Sequence, residues 1–274
     1  MINFRIVVVG SPDLLLAAPD PDHDDLLPSR SDTEWTDGEI GSNDAVLAHD
    51  LRSPSSLGGF ARVCQAVHML SRVLRHFHMR NTTTDIVSMI HEALNIHRAL
   101  VELDASLDPS TDDDDGDDDD GDDDDDDDRP TIPPLEANHP ALAICSLARL
   151  VLYNQYACNE PAAAIARGRV ALELEVQKLS LAGIKDLASK TIPQMAREIL
   201  WAHAQSPSKP GPCPILAHCL YHGATECAWF IREDGDPDMV SGLKDIVAAL
   251  RFMQTEWQVC KQHLDLLTRG GAIL

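Results

Sequence analysis

Apolar positions along this chain fall into stretches with a three- and four-residue step, separated by segments with no period. From Gly58 onward Phe60, Val63, Cys64, Val67, Leu70, Leu74 and Phe77 keep that step, the spacing of one face of an α-helix. Ile86, Ile90, Ala93, Leu94, His97, Leu100 and Val101 repeat it after Thr82-Thr83-Thr84-Asp85, whose side-chain oxygens suit the free amides of a helix start. A third stretch opens near Pro140 with Leu142, Cys145, Leu147, Ala148, Val151 and Leu152. Asn159-Glu160-Pro161 then marks a stop and restart, and Ile165, Leu172, Val176 and Leu179 continue on one face. Ile184, Leu187, Ala188, Met195, Ile199 and Leu200 predict a further helix, kinked or broken at Pro193, which lacks an amide hydrogen and crowds the turn before it.

Ser206 to Pro214 holds four prolines and a glycine and reads as a loop. A compact apolar helix follows over Ile215–Ile231. Asp236 is placed to cap a last helix, with Pro237 in its first turn. The stripe Leu243, Ile246, Val247, Leu250, Met253, Trp257, Cys260, Leu264 and Leu267 predicts that this helix runs unbroken to its end. No stretch reads as a set of paired strands. The expected fold is all-α, a bundle of about seven helices over residues 58–268. Residues 1–57, rich in Asp, Pro and Ser, read as a disordered arm, 108–137 as an acidic insertion looped out between helices, and 269–274 as a tail.

Charge changes the picture only locally. The formal net charge is −23, but fifteen of the acids form one run, Asp112 to Asp128, broken only by Gly116 and Gly121; without the run the charge would be −8. A uniformly basic nucleic-acid binder is excluded, since phosphate contacts need cations that are scarce here. An aromatic share of 4% argues against an aromatic-rich β-sandwich, while 44% apolar residues suffice for a packed core. The run does not fit a calcium loop. Counting back from Gly116 puts Thr111 at the first ligand position, counting back from Gly121 puts Gly116 there, and the twelfth position falls on Asp127 at best. Weak, diffuse cation binding is expected of it instead, and the lack of interleaved bulky apolar residues argues against an activation segment. No apolar run reaches the length that spans a bilayer, and Pro12-Asp13 interrupts the apolar start before a secretion signal is complete. The seven cysteines, scattered and mostly in apolar surroundings, read as reduced thiols of an intracellular protein.

Candidate chemistry is sparse. His91-Glu92-Ala93-Leu94-Asn95 begins a zinc-protease pattern, but Asn95 stands where the second histidine must be. His218, His222 and Glu226 lie four residues apart on one helix, beside Cys219 and Cys227. Two histidines so spaced are able to share a metal, which leaves a metal-dependent enzyme as one alternative; a helix surface flanking the core is the expected state, so no catalytic or metal residue is assigned. His68, His76 and His78 with Arg72, Arg75 and Arg80 form a basic helix end, read as a solvated face with cations favourable near the helix C-terminus. Phosphate-cradling and nucleophile-elbow patterns are not seen, and an enzyme is not expected.

Gly58-Gly59-Phe60-Ala61-Arg62-Val63-Cys64-Gln65-Ala66-Val67-His68-Met69-Leu70-Ser71-Arg72-Val73-Leu74-Arg75-His76 resembles a recurrent helix, roughly PFARxxQAxxLLxRVxxH, in the regulatory region of fungal zinc-cluster transcription factors. The helix with Glu92-Ala93-Leu94 is similar to the next helix of that family, and Cys219-Leu220-Tyr221-His222-Gly223-Ala224 and the Leu243–Leu267 stripe with Trp257 resemble its C-terminal half. The resemblance covers most of 58–268 and implies the helical regulatory domain of a nuclear regulator of RNA polymerase II transcription. Such a domain would act through protein contacts and through sensing of an apolar effector between helices. Its expected partners are proteins, either a second copy of the chain or the transcription machinery, with no membrane. In the family, six cysteines in a basic N-terminal module hold two zinc ions and read DNA. Here no cysteine precedes Cys64, and Arg5, Arg30 and Arg52 are the only Lys or Arg residues in 1–57. No zinc-cluster residue is therefore carried over, zinc is not expected in this chain, and direct DNA binding is not expected of it. The remaining alternative is a helical interaction scaffold with no role in transcription; no clean period of about 34 residues supports it.

Overall fold

The structure is a computed structural model that describes residues 26–27, 45–46, 58–82, 85–107, 139–157, 170–205 and 212–273. Its helices are α1 (Gly59–Thr82), α2 (Ile86–Leu107), α3 (His139–Asn154), α4 (Val170–Asp186), α5 (Ile192–Gln205), α6 (Pro214–Asp234), α7 (Pro237–Met253) and α8 (Gln258–Arg269). A π-turn, Leu187–Thr191, carries α4 into α5 without interruption, so the eight helices make seven rods among the described residues. The fold is all-α, as the periodicity predicts. One pairing was not expected: β1 (Leu26–Leu27) and β2 (Ala45–Val46) are antiparallel neighbours within the predicted arm. Two-residue strands are too short to show an alternating pattern. The rest of that arm, the Asp112–Asp128 run and the Asn159–Pro161 restart lie outside the described residues.

Helix starts follow local chemistry. Asp85 Oδ1 accepts from the Ser88 amide at 3.2 Å and opens α2. Asp236 Oδ1 accepts from the Asp238 amide at 3.0 Å and opens α7, with Pro237 in the first turn, where no amide is needed. Between α6 and α7 the chain reverses at Gly235, whose φ of 66° is a left-handed conformation that a Cβ disfavours.

Helix α3 occupies the centre. Eleven of its 16 residues are buried, so it has no broad solvent face. It touches α1, α2, α4 and α6, while α7 lies against α5 and α6, and α8 closes on α6 and α7.

Pro193 does not break its rod. The Ile192 amide donates to the Leu187 carbonyl, one residue farther back than in an α-helix. That shift frees the Ala188 carbonyl, and the next amide in the widened register would be that of residue 193, which as proline has none. The Cys227 thiol of α6 fills the gap, donating to the Ala188 oxygen at 3.2 Å. The bulge brings α6 and α7 so close that only glycine fits opposite it. A Cβ at Gly223 would lie 2.6 Å from Ile192 Cγ2, and one at Gly242 would lie 2.8 Å from Pro193 Cγ.

The stripe from Leu243 to Leu267 is not one helix. It breaks at Gln254–Trp257, where the Thr255 amide turns to Phe252 O and the Glu256 and Trp257 amides to Met253 O. Trp257 is extended (φ −119°, ψ 108°), and its indole Nε1 donates to Pro212 O at 2.8 Å, tying this corner to the loop before α6. The apolar step survives the break because Met253, Cys260, Leu264 and Leu267 remain buried on both sides of it.

Because Ile192 is β-branched and stiff within its helix, it cannot turn away from an added methyl. Gly223→Ala is expected to destabilise the chain by about 1–3 kcal/mol. Adding Ile192→Ala should recover part of that loss, and urea unfolding of the three chains measures both effects.

Candidate functional site

Two groups of polar side chains stand out inside the bundle. The first lies between α1, α2 and α3. Arg62 and Gln65 of α1 are buried, at 2% and 0% exposure. Arg62 donates to Gln65 Oε1 at 3.4 Å and to Ser106 Oγ of α2 at 3.2 Å. His76 is buried as well, its Nε2 2.7 Å from the Tyr156 hydroxyl. Arg149 of α3 is paired with Asp104 of α2 and donates through Nε to the Tyr153 hydroxyl at 3.4 Å. His97 Nδ1 completes the chain of contacts, 2.8 Å from that same hydroxyl. Burial, with the Arg149 and Arg98 charges, lowers the pKa of His97 and keeps its ring neutral at physiological pH.

The second group lies where α6 meets α8. His218 Nδ1 and His263 Nε2 are 3.1 Å apart, with the rings nearly perpendicular at 77°. Tyr221 stacks on His263, centroids 4.5 Å apart and planes 16° from parallel, and meets His222 edge-on at 5.4 Å. Burial and the neighbouring imidazoles push both His218 and His263 down to about 4, and burial lowers His222. The structure thus gives His218 a partner that sequence spacing did not predict. Glu226 is engaged elsewhere, accepting from Asn154 Nδ2 of α3 at 3.0 Å, and burial raises its pKa. Among the described residues no group of three or more His, Cys, Asp or Glu side chains is arranged to hold a metal.

The other predicted positions separate clearly. His91, Glu92 and Asn95 lie exposed on α2, where Glu92 accepts from Arg72 at 3.5 Å and Asn95 Oδ1 from Arg98. The basic end of α1 is only partly a solvated face, because His76 points inward, while Arg75 is exposed. That is a correction with a plain cause: a histidine in a run of arginines reads as surface until its tyrosine partner, 80 positions away, is known. Cys145, Cys219, Cys227 and Cys260 are buried and free. Burial raises Cys219 and Cys227 to about 12 and Cys260 to about 11, so these thiols are protonated and unreactive near neutral pH. Among the described residues no helix is long and apolar enough to cross a membrane.

Two outcomes follow from this geometry. Asp104→Ala strands the buried Arg149 charge and should destabilise the chain by about 3–5 kcal/mol. Asp104→Leu combined with Arg149→Met should lose much less, which urea melts distinguish. The second outcome concerns acid. The folded chain holds His218 and His263 neutral down to about pH 4, while the unfolded chain protonates them near 6.5. Folding therefore excludes protons in that window. The pair's contribution is fully present above pH 6.5 and is lost as the pH falls toward 4. Urea melts at neutral pH and near pH 4.5 should show this loss in the native chain and a smaller one in His263→Phe.

Comparison of the chain with known protein families, characterised proteins and solved structures finds no match.

Proposed function

We propose that this chain is the helical regulatory body of a nuclear transcription regulator of the fungal zinc-cluster type, acting on RNA polymerase II transcription through protein contacts. The observation that carries this reading is the fate of the polar positions in the resembling stretch. Arg62, Gln65 and His76 are all buried, at 2%, 0% and 3% exposure, and each is hydrogen-bonded. A generic amphipathic helix keeps such residues on its wet face. Their place in the interior is what a packing signature of a regulatory domain requires, and it supports the family resemblance rather than a chance match of apolar steps.

Contacts with partners need an exposed surface, and α1 offers one. Phe60 and Val67 stand one heptad apart on its outer side at 59% and 42% exposure, with half-buried Cys64 between them. Large apolar side chains aligned on a helix in this way are typical anchors for a protein partner.

Fusing the chain to an unrelated DNA-binding domain in a fungal reporter strain tests the proposal. Reporter output should change several-fold, the fusion should be nuclear, and Phe60→Asp with Val67→Asp should abolish the effect without unfolding the chain. A folded fusion that leaves the reporter unchanged would overturn the proposal.

A further inference from the structure

The histidine pair between α6 and α8 has room for its neutral complement of hydrogens and no more. His218 Nδ1 and His263 Nε2 are 3.1 Å apart, so a single hydrogen lies between them, donated by one ring to the other. The two neutral rings together carry two hydrogens on four nitrogens, and one of these fills the shared bond. A third hydrogen is constrained. The facing nitrogens hold only one between them, so His218 Nε2 and His263 Nδ1 must carry the other two. His263 is 7% exposed, and its Nδ1 is buried with no hydrogen-bond partner. Every protonated pair that keeps its bond therefore buries an N–H of a charged unit where no protein atom accepts it, which is costlier than burying a neutral donor.

The surroundings do not offset that charge. Tyr221 of α6 stacks on His263, and His222 of α6, edge-on to Tyr221, is a further imidazole whose charge would oppose a proton on the pair. On the three helices that meet here, Glu226 of α6 accepts from Asn154, Asp245 of α7 accepts from Arg197, and Asp265 of α8 is exposed. Among the described residues no carboxylate is bonded to either ring, and no charged side chain of α7 acts on them.

Helix α8 is also the element that is easiest to detach. It rests chiefly on α6 and α7, and its buried side chains are Cys260, His263, Leu264 and Leu267. His263 is thus one of few anchors. The helical ladder is interrupted at Gln254–Trp257, so α8 does not share the rod of α7. The Trp257 indole bond to Pro212 O pins the corner about which α8 turns.

We propose that the His218–His263 pair is an acid-released latch: a proton taken up by the pair frees α8 from α6 as a unit, with the rest of the bundle still folded, and bares the apolar side of α8. The latch stands independently of the transcription reading. It goes beyond a general loss of stability in acid, because it names the one helix that leaves first. Docked, the rings stay neutral down to about 4; released, they return toward 6.5. The latch is therefore closed above pH 6.5 and opens progressively as the pH falls toward 4.

Native-state hydrogen exchange of the full chain at pH 7 and pH 5, corrected for the intrinsic pH dependence of exchange, reads the release. The opening constant of the amides from Gln262 to Thr268 should rise about tenfold or more at pH 5. Low urea should barely accelerate that opening, since it exposes little surface, and α3 amides should stay far better protected at both pH values. In a chain with both His218→Gln and His263→Gln, whose amides do not titrate, the rise should shrink to less than about threefold. The latch is overturned if α8 and α3 amides share one opening free energy at both pH values. It is equally overturned if the α8 constant does not move with pH, or moves as much in the double variant. Should that variant fail to fold, ring nitrogen resonances of the native chain replace it. Neutral rings wherever α8 is protected support the latch, and a protonated His263 in a chain whose α8 amides remain protected overturns it.

Discussion

A helix without a solvent face must find partners for every polar side chain it carries, and that constraint governs the centre of this bundle. Helix α3 is buried nearly all round, so Arg149 cannot snorkel to water. Its charge is tolerable only because α2 brings Asp104 to it and because the Tyr153 hydroxyl takes a second donor. The same requirement fixes α1, whose Arg62, bonded to Gln65, reaches Ser106 at the far end of α2, and whose His76 reaches Tyr156 just beyond α3. These bonds add little net energy each, but leaving any of them unmade is expensive. They therefore act as a register for α1, α2 and α3, since a slip of one turn would strand several buried groups at once.

The other half of the bundle is fitted by shape. The π-turn before Pro193 makes a bulge, and Gly223 and Gly242 are the hollows that receive it. Cys227 serves as a donor there, taking the carbonyl that a proline cannot reach. Tyr153 joins the two halves. Its hydroxyl belongs to the polar network, and its ring fills the place that a Cβ on Gly183 of α4 would need. Lys185 adds an outer tie from α4 to Asp236 at the α6–α7 corner, at 3.0 Å.

Hydrophobic spacing made most helices legible, because a helix packed on one side leaves a stripe of period 3.6. It was blind wherever burial did not follow that rule. His76 read as surface, and nothing in the spacing marked Arg62 and Gln65 as interior, because polarity alone says nothing about a partner elsewhere in the fold. The break at Gln254–Trp257 was hidden because two short helices packing on the same core continue one another's stripe. The two-strand pairing was too short to show any period. For the candidate sites the limit is distance along the chain. The i, i+4 spacing of His218 and His222 was visible, but the residue that faces His218 is His263, 45 positions away and on another helix. Only the packing of α8 on α6 brings them together.

The regulatory reading depends on the bundle being one cooperative unit whose polar interior is closed. Native-state hydrogen exchange, read by mass spectrometry along the chain, tests this most directly. If α3 is locked by its buried network, amides from Ala143 to Leu152 should exchange only when the whole chain unfolds, with the same free energy that denaturant melts give. If those amides exchange through local opening while α6 and α7 remain protected, the polar network does not hold the centre, and the account of this fold fails.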